Sequence, residues 1–321
     1  MQFDDGALFR NARMAGSMTE ATSYDIRFIV GARKLFAVPR QLVPVGWTLE
    51  ELLDRPRAAL PDCGNADGYQ LSSVPAQAVD SLLSRYQDWL VGGRRDYARH
   101  FIRMGCSFDD YLACFSGKTR STLRRKARKF AELGGGTLDV GSYRTPAEIA
   151  EFLRLVRPLD ARTYQARLLD AGLPQGSNAE REAMQLAADD RLRAFLLFLG
   201  GEPVAYLYLP VEGQTLVYSY LGYSPEHAQL SPGTVLQLAA LEQLFAERRF
   251  HYFDFTEGDG DHKAKFGTDS VNCASFVLLR PALPNRLLLG SLALFDGSVA
   301  VARTLAEKTG GIAAARRLLR G

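Results

Sequence analysis

Between Asp254 and Lys265 the chain reads Asp-Phe-Thr-Glu-Gly-Asp-Gly-Asp-His-Lys-Ala-Lys. Asp254, Glu257, Asp259 and Asp261 fall within eight residues, and His262, Lys263 and Lys265 follow at once. A carboxylate or an imidazole in such a run can take a proton from an ammonium group, and a lysine can stabilise an oxyanion or a phosphate. Gly258 and Gly260 allow the loop tight conformations that other residues resist. The same composition also describes a solvated loop with internal ion pairs, each worth little. Residue types alone leave both readings open. Upstream, Tyr218 and Tyr220 alternate along a β-rich run, which puts both side chains on one face. There they can line a pocket and protonate a leaving group, or simply fill a core.

These groups need elements to hold them. Thr215 to Tyr223 and His251 to Phe255 read as strands, rich in aromatic and β-branched residues. Between them Ser231-Pro232-Gly233 opens an apolar helix, with Ser231 expected as its cap and Pro232 at its first position. The order is strand, helix, strand, and the crossover rule makes the strands parallel. First-turn amides of a helix suit a phosphate. That would make Gln229, Ser231, Pro232, Gly233, Thr234 and Val235 the anion-binding turn, with the ligand where the strands end.

Composition narrows the class. The 321 residues are 47% hydrophobic, enough for two ordinary domains or one large one. Cys63, Cys106, Cys114 and Cys273 have no CxxC spacing and do not cluster with the four histidines, so neither a zinc site nor a disulfide scaffold is expected. The N-terminal residues have early acids and no apolar core of signal-peptide length, and no run of about 18 uninterrupted apolar residues occurs. A cytoplasmic location follows as the expectation. The net charge of +3 does not point to nucleic acid, but it is unevenly spread. Seven of the twelve residues from Lys118 to Lys129 are Lys or Arg, and from Arg280 to the end seven bases face two acids.

In chain order, residues 1–23 read as a loose arm, and residues 24–115 as an incomplete α/β half. Its first strand spans Tyr24 to Pro39, and Thr48 with Glu51 makes a capping box. Residues 116–281 form the second half. A basic helix from Phe108 to Leu133 leads into it, and a helix starts at Pro146. The hairpin strands after residue 192 make the sheet mixed. Residues 282–321 read as two or three short amphipathic basic helices, able to cap the domain or to lie on a membrane surface. Arg124 and Arg128 share one face of the basic helix.

Three stretches taken together resemble a known family. They are Phe108 to Phe130 (FDDYLACFSGKTRSTLRRKARKF), Ala161 to Leu173 (ARTYQARLLDAGL) and Ser231 to Gly267 with its SPG, FDF and GDGDHKAKFG segments. They are similar to the CelD/BcsL-type acyltransferase domain of the GNAT superfamily, related to the FemAB aminoacyl transferases. The resemblance implies a mixed twisted sheet flanked by helices, in two tandem lobes of which the N-terminal one is degenerate. It also implies that the two parallel strands splay apart to admit a pantetheine arm.

The activity it implies is transfer of an acyl group from acyl-CoA to an amine. Glu257, Asp259 and Lys263 become the preferred catalytic groups, with Asp254 and Tyr220 as further candidates, and His262 falls behind because its position is usually aromatic in the family. Thr163, Tyr164, Gln165 and Tyr218 become walls of the acceptor pocket, and Arg124 and Arg128 candidates for the donor's phosphates. The usual pyrophosphate loop runs Gln/Arg-x-x-Gly-x-Gly/Ala, whereas this chain supplies Gln229 and a displaced Gly233. An acyl carrier protein therefore stays open as donor beside coenzyme A. The acceptor expected is a small or lipid-linked amine, at the inner face of a bacterial membrane through residues 283–321. No metal and no nucleic acid are expected. The alternatives are a FemAB-like transferase using aminoacyl-tRNA, and a non-catalytic polysaccharide-assembly module of the same fold.

Overall fold

The computed structural model describes residues 20–30, 33–54, 59–163, 172–258 and 260–308. The chain forms two compact units, Met1–Ala98 with Val271–Gly321, and Arg99–Ser270. Strands and helices alternate in both, as expected for a mixed α/β architecture.

In the first unit β1 (Thr22–Val30) and β2 (Arg33–Gly46) pair antiparallel, Ile26 opposite Val38. The expected single strand from Tyr24 to Pro39 is therefore a hairpin, whose turn interrupts an otherwise continuous β-rich run. A short helix α1 (Leu49–Leu53) follows, and Thr48 and Glu51 form the expected capping box. The chain returns as β3 (Gly68–Pro75), parallel to β2 from Leu42/Gly68 to Gly46/Ser72. Helix α2 (Ala76–Leu83) leads to β4 (Leu90–Arg103). On its other edge β3 pairs antiparallel with β11 (Asp269–Leu279), which comes from the far end of the sequence.

The second unit repeats this plan on a larger scale. Helices α3 (Phe108–Ala113) and α4 (Gly117–Leu133) come first, then β5 (Asp139–Tyr143), α5 (Pro146–Asp160) and α6 (Ser177–Ala188). Strands β6 (Leu192–Leu199) and β7 (Glu202–Glu212) pair antiparallel, and β8 (Thr215–Val217) and β9 (Tyr220–Tyr223) each pair with β7. Helix α7 (Pro232–Ala246) crosses over to β10 (Tyr252–Asp254), which runs parallel to β8. The end of β4 flanks β10 antiparallel, Ile102 opposite Phe253. Both units thus hold a parallel pair joined by a helix, and an antiparallel strand supplied by a distant part of the chain. This agrees with the tandem-lobe expectation.

The expected basic helix from Phe108 to Leu133 is two helices. Ser116 caps the second by accepting the Thr119 amide at 3.2 Å, and Ser107 with Asp110 boxes the first. Two caps within ten residues stop what propensity alone would join. Helix α7 is apolar on all sides and accordingly buried, with Val235, Leu236, Ala240, Leu241 and Leu244 in the core. The described part of the C-terminal segment is one helix, α9 (Leu283–Lys308), rather than several short ones, since Gly290 and Gly297 weaken but do not end it. Leu283–Ala302 is long and apolar enough by composition to cross a membrane, although no uninterrupted apolar run marks it in the sequence.

One charged cluster helps hold the second unit. Asp190 at the start of β6 receives Arg144 at 2.6 and 2.8 Å, Arg193 at 2.9 Å, and Arg249. Burial raises the Asp190 carboxyl, but hydrogen bonds from Arg144 and Arg193 and the charges of Arg193 and Arg249 outweigh it and bring it to about 2. A depressed carboxyl contributes stability above its unfolded value near 4, lost as the pH falls toward 2. Because Asp190 is 38% exposed, solvent screening leaves about 1 kcal/mol of this. Asp190→Asn should lower the urea midpoint at pH 7, and the gap from the parent should narrow between pH 4 and 2.

Candidate functional site

The site forms where the parallel pair β8–β10 comes apart. Thr215, Leu216 and Val217 pair with Tyr252, Phe253 and Asp254, and one more rung follows as the Tyr218 amide donates to the Asp254 carbonyl at 2.8 Å. Then the chain shifts partner. Tyr220 to Tyr223 pairs with β7, while the Phe255 amide turns to the carbonyl of His100 at 3.0 Å. The expected single strand from Thr215 to Tyr223 is thus two strands, parted where they leave β10. Tyr218 and Tyr220 consequently do not share a face as alternate residues of one strand would. Tyr218 packs on Phe253, Phe255 and His262 at 5.9, 5.4 and 5.9 Å between ring centroids, and Tyr220 meets Tyr208 at 6.0 Å.

Two features hold β9 away from β10. Gly222 lies under the Tyr206 ring, where a Cβ would stand 2.3 Å from a ring carbon. Tyr206 is fixed from behind, its hydroxyl donating to the buried Asp160 at 2.6 Å. Burial, and then that neighbouring carboxylate, push the Tyr206 phenol far up. Thr163 belongs to this support, its hydroxyl donating to the Asp160 carbonyl at 2.8 Å. Tyr164 and Gln165 lie outside the described residues.

The N-terminus of α7 abuts β9, for a Cβ on Gly233 would lie 3.0 Å from Leu221 and 3.3 Å from Tyr223. Pro232 takes the first helical position as expected. Ser231 does not cap the helix through its side chain. It adopts a left-handed backbone, φ 56° and ψ 47°, and makes no cap hydrogen bond. A serine caps from the extended region, where its hydroxyl reaches the N2 or N3 amide. The Ser231 side chain therefore leaves the first-turn amides at Gly233 and Thr234 uncapped, and the Val235 amide goes to the Ser231 carbonyl at 3.1 Å. Gln229 is exposed in the 3-10 turn Pro225–Leu230 before the helix. On the second turn of α7 the buried Gln237 has an amide nitrogen with no hydrogen-bond partner among the described residues.

The loop after β10 is braced rather than loose. Asp254 is buried and bound by Arg99, whose Nε donates at 3.0 Å while Nη2 holds the second oxygen. The same carboxylate accepts the Thr256 amide at 2.8 Å, and Thr256 takes φ 61°, as Gly258 takes φ 99°. With its oxygens so engaged, Asp254 reads as the brace of the loop. Lys263, on α8 (Asp261–Phe266), is also buried, and its ammonium donates to the Glu257 carbonyl. The far end of α8 is anchored by the Tyr111 hydroxyl, which donates to the Phe266 carbonyl at 2.9 Å. Glu257 is half-buried and His262 exposed. Asp259 lies outside the described residues.

Arg124 and Arg128 stand exposed on α4, and Arg128 reaches Glu132 at 3.8 Å. Lys126 of α4 lies within reach of the charge of Lys265 on α8. Burial, and then the charges of Lys265 and Arg125, hold its ammonium below the ordinary lysine value. Sequence reasoning missed Arg99, Tyr206 and Asp160. Each contacts the site across a large sequence separation, and no local pattern marks any of them. Among the described residues no group of three or more His, Cys, Asp or Glu is placed to hold a metal ion.

The family model described as an acetyltransferase (GNAT) domain matches residues 117–264, which contain the parted strands, α7 and the loop. Among solved structures, FemX is 12% identical with a TM-score of 0.50, over 90% of this chain and 99% of that one. L-PGS from Bacillus licheniformis is 17% identical with a TM-score of 0.43, over 71% and 73%. An aminoglycoside acetyltransferase, HMB0005, from an uncultured soil metagenomic sample is 18% identical with a TM-score of 0.32, over 41% and 92%. No curated protein matches. At these identities the likeness to FemX speaks for the fold.

Proposed function

We propose that the chain is an N-acyltransferase that moves an acyl group from a thioester, acyl-CoA or acyl carrier protein, to an amine, in the manner of the CelD/BcsL-type domains. The observation that carries this reading is the parting of β9 from β10, beyond the paired β8, beside the start of α7. Strand edges freed in this way offer backbone donors and acceptors to an amide-containing arm such as pantetheine. The first turn of α7, lacking a side-chain cap, suits the phosphate at the arm's end. Gly233 lets that turn come close to β9.

The acceptor enters as an ammonium and must lose a proton before its nitrogen attacks the thioester carbonyl. Glu257, half-buried on the braced loop, is the base we favour, with His262 next. As the carbon–nitrogen bond forms, the carbonyl becomes an oxyanion. The carbon–sulfur bond then breaks, and the departing thiolate takes a proton, for which the hydroxyls of Tyr218 and Tyr220 are the nearby donors. Lys263 serves by pinning Glu257 through its carbonyl, and Asp254 by fixing Thr256. The apolar and aromatic rings around Tyr218 favour an acceptor with a long-chain or lipid-linked body over a wholly polar one.

The test is release of free thiol from acyl-CoA of graded chain length, followed by mass spectrometry of the product with long-chain amines, amino sugars and amino acids offered side by side. An amide product whose formation needs both substrates is the expected result. Thioester hydrolysis without amide, or no turnover with either CoA or carrier-protein thioesters, would overturn the reading.

A further inference from the structure

Helix α9 is apolar on two opposite sides, and within the first unit one of them is already used. Leu288 and Leu292 close on Ile26 and Phe28 of β1. Asn285 accepts from Arg40 at 2.8 Å and donates to the Arg280 carbonyl at 3.1 Å. On the other side Leu283, Leu287, Leu294 and Val301 are 69, 66, 78 and 61% exposed. Their spacings of four, seven and seven residues put all four within a sector of about 40° at the helical repeat. Isolated exposed aliphatics need no explanation, but four in one row along a helix do.

The β1–β2 hairpin, packed on the other side of α9, has exposed apolar groups of its own. Leu35 and Phe36 are 51 and 52% exposed. Phe36 stacks on Phe28 at 4.2 Å, and Phe28 meets Phe295 of α9 at 5.3 Å. By sequence both segments are basic. Beside Asp25 the hairpin sequence carries Arg27, Arg33, Lys34 and Arg40, and residues 280–321 hold seven bases against Asp296 and Glu307.

We propose that α9 docks in the plane of an anionic lipid bilayer, with Leu283, Leu287, Leu294 and Val301 entering the boundary between headgroups and acyl chains. An exposed apolar row on a basic segment is what such a surface binds, through buried apolar area and attraction to acidic headgroups. The helix lies on the bilayer rather than crossing it. Its Leu288, Leu292 and Asn285 side is committed to the hairpin and the residues beside it, and its apolar stretch contains Arg286 and Asp296. The proposal stands on α9 alone, so its failure would leave the acyl-transfer reading untouched.

The full chain should sediment with phosphatidylcholine vesicles containing about one third phosphatidylglycerol, less so at high salt, and much less with pure phosphatidylcholine. Leu287→Glu with Leu294→Glu should weaken that binding roughly tenfold or more. The melting temperature should hold, because both side chains are exposed. Arg286→Glu should weaken binding to the anionic vesicles and leave the weak binding to neutral ones unchanged. No sedimentation with anionic vesicles, equal binding to neutral ones, or binding unaffected by the paired glutamates would each overturn the proposal. So would a dimer that the glutamates dissociate with no vesicle binding by the parent, since the row would then pair two copies of the chain.

Discussion

Arg99→Met should lower the unfolding free energy by about 3–5 kcal/mol, read as a shift of the urea midpoint. The variant leaves the buried Asp254 carboxylate with no guanidinium to balance it, and only the Thr256 amide still donates to it among the bonds described above. Taking one partner from a buried pair costs far more than the pair itself is worth, because the remaining charge has lost both water and counter-ion. Replacing both, as Arg99→Met with Asp254→Leu, should therefore recover part of the loss. Activity should stay low in the double variant, since Thr256 loses the carboxylate that holds its left-handed backbone, φ 61°. A single variant as stable as the parent would show that the pair does not brace the loop.

Glu257→Gln should slow amide formation by about 10²- to 10⁴-fold, the usual contribution of a positioned general base. The glutamine keeps size and polarity, so the fold and the binding of the thioester should change little. Loss of the base should also remove the acidic limb of the pH–rate profile in kcat. His262→Phe keeps a ring against Tyr218, whose centroid lies 5.9 Å away, and should retain activity within about tenfold. The opposite outcome, with the Glu257→Gln variant active and the His262→Phe variant inactive, would move the base to His262.

Much of the fold was legible because its signals are local. The capping boxes Thr48/Glu51 and Thr145/Glu148, with Pro146 inside the second, stand where the chain needs helix starts. The apolar run after Pro232 is a buried helix. What propensity could not reveal is a change of partner. Thr215 to Tyr223 is uniformly β-forming, yet Tyr218 bonds to Asp254 while Tyr220 opposes Tyr208 of β7, and only tertiary pairing decides that. Likewise Phe108 to Leu133 reads as one helix until the hydroxyls of Ser107 and Ser116 are seen on backbone amides. The chemical groups after β10 were visible as a cluster. Their supports were not, because Arg99 precedes Asp254 by 155 residues, and charge type alone does not say which arginine will be buried beside it. Ser231 failed as a cap for a related reason, since composition does not reveal a left-handed residue.

Strand β11 has a bearing on how the protein is made. The first unit contains the earliest residues of this sequence but takes a strand from Asp269–Leu279, whereas Arg99–Ser270 is continuous in sequence. At ordinary elongation rates the ribosome needs roughly 10–35 s to cover that interval. The hairpin and β3 must wait through it with one edge unsatisfied, while the middle of the chain can close around α7. A translational pause or a premature stop before β11 would thus leave the earlier-made segment as the exposed, aggregation-prone part, and chaperone capture should concentrate on nascent chains of that length.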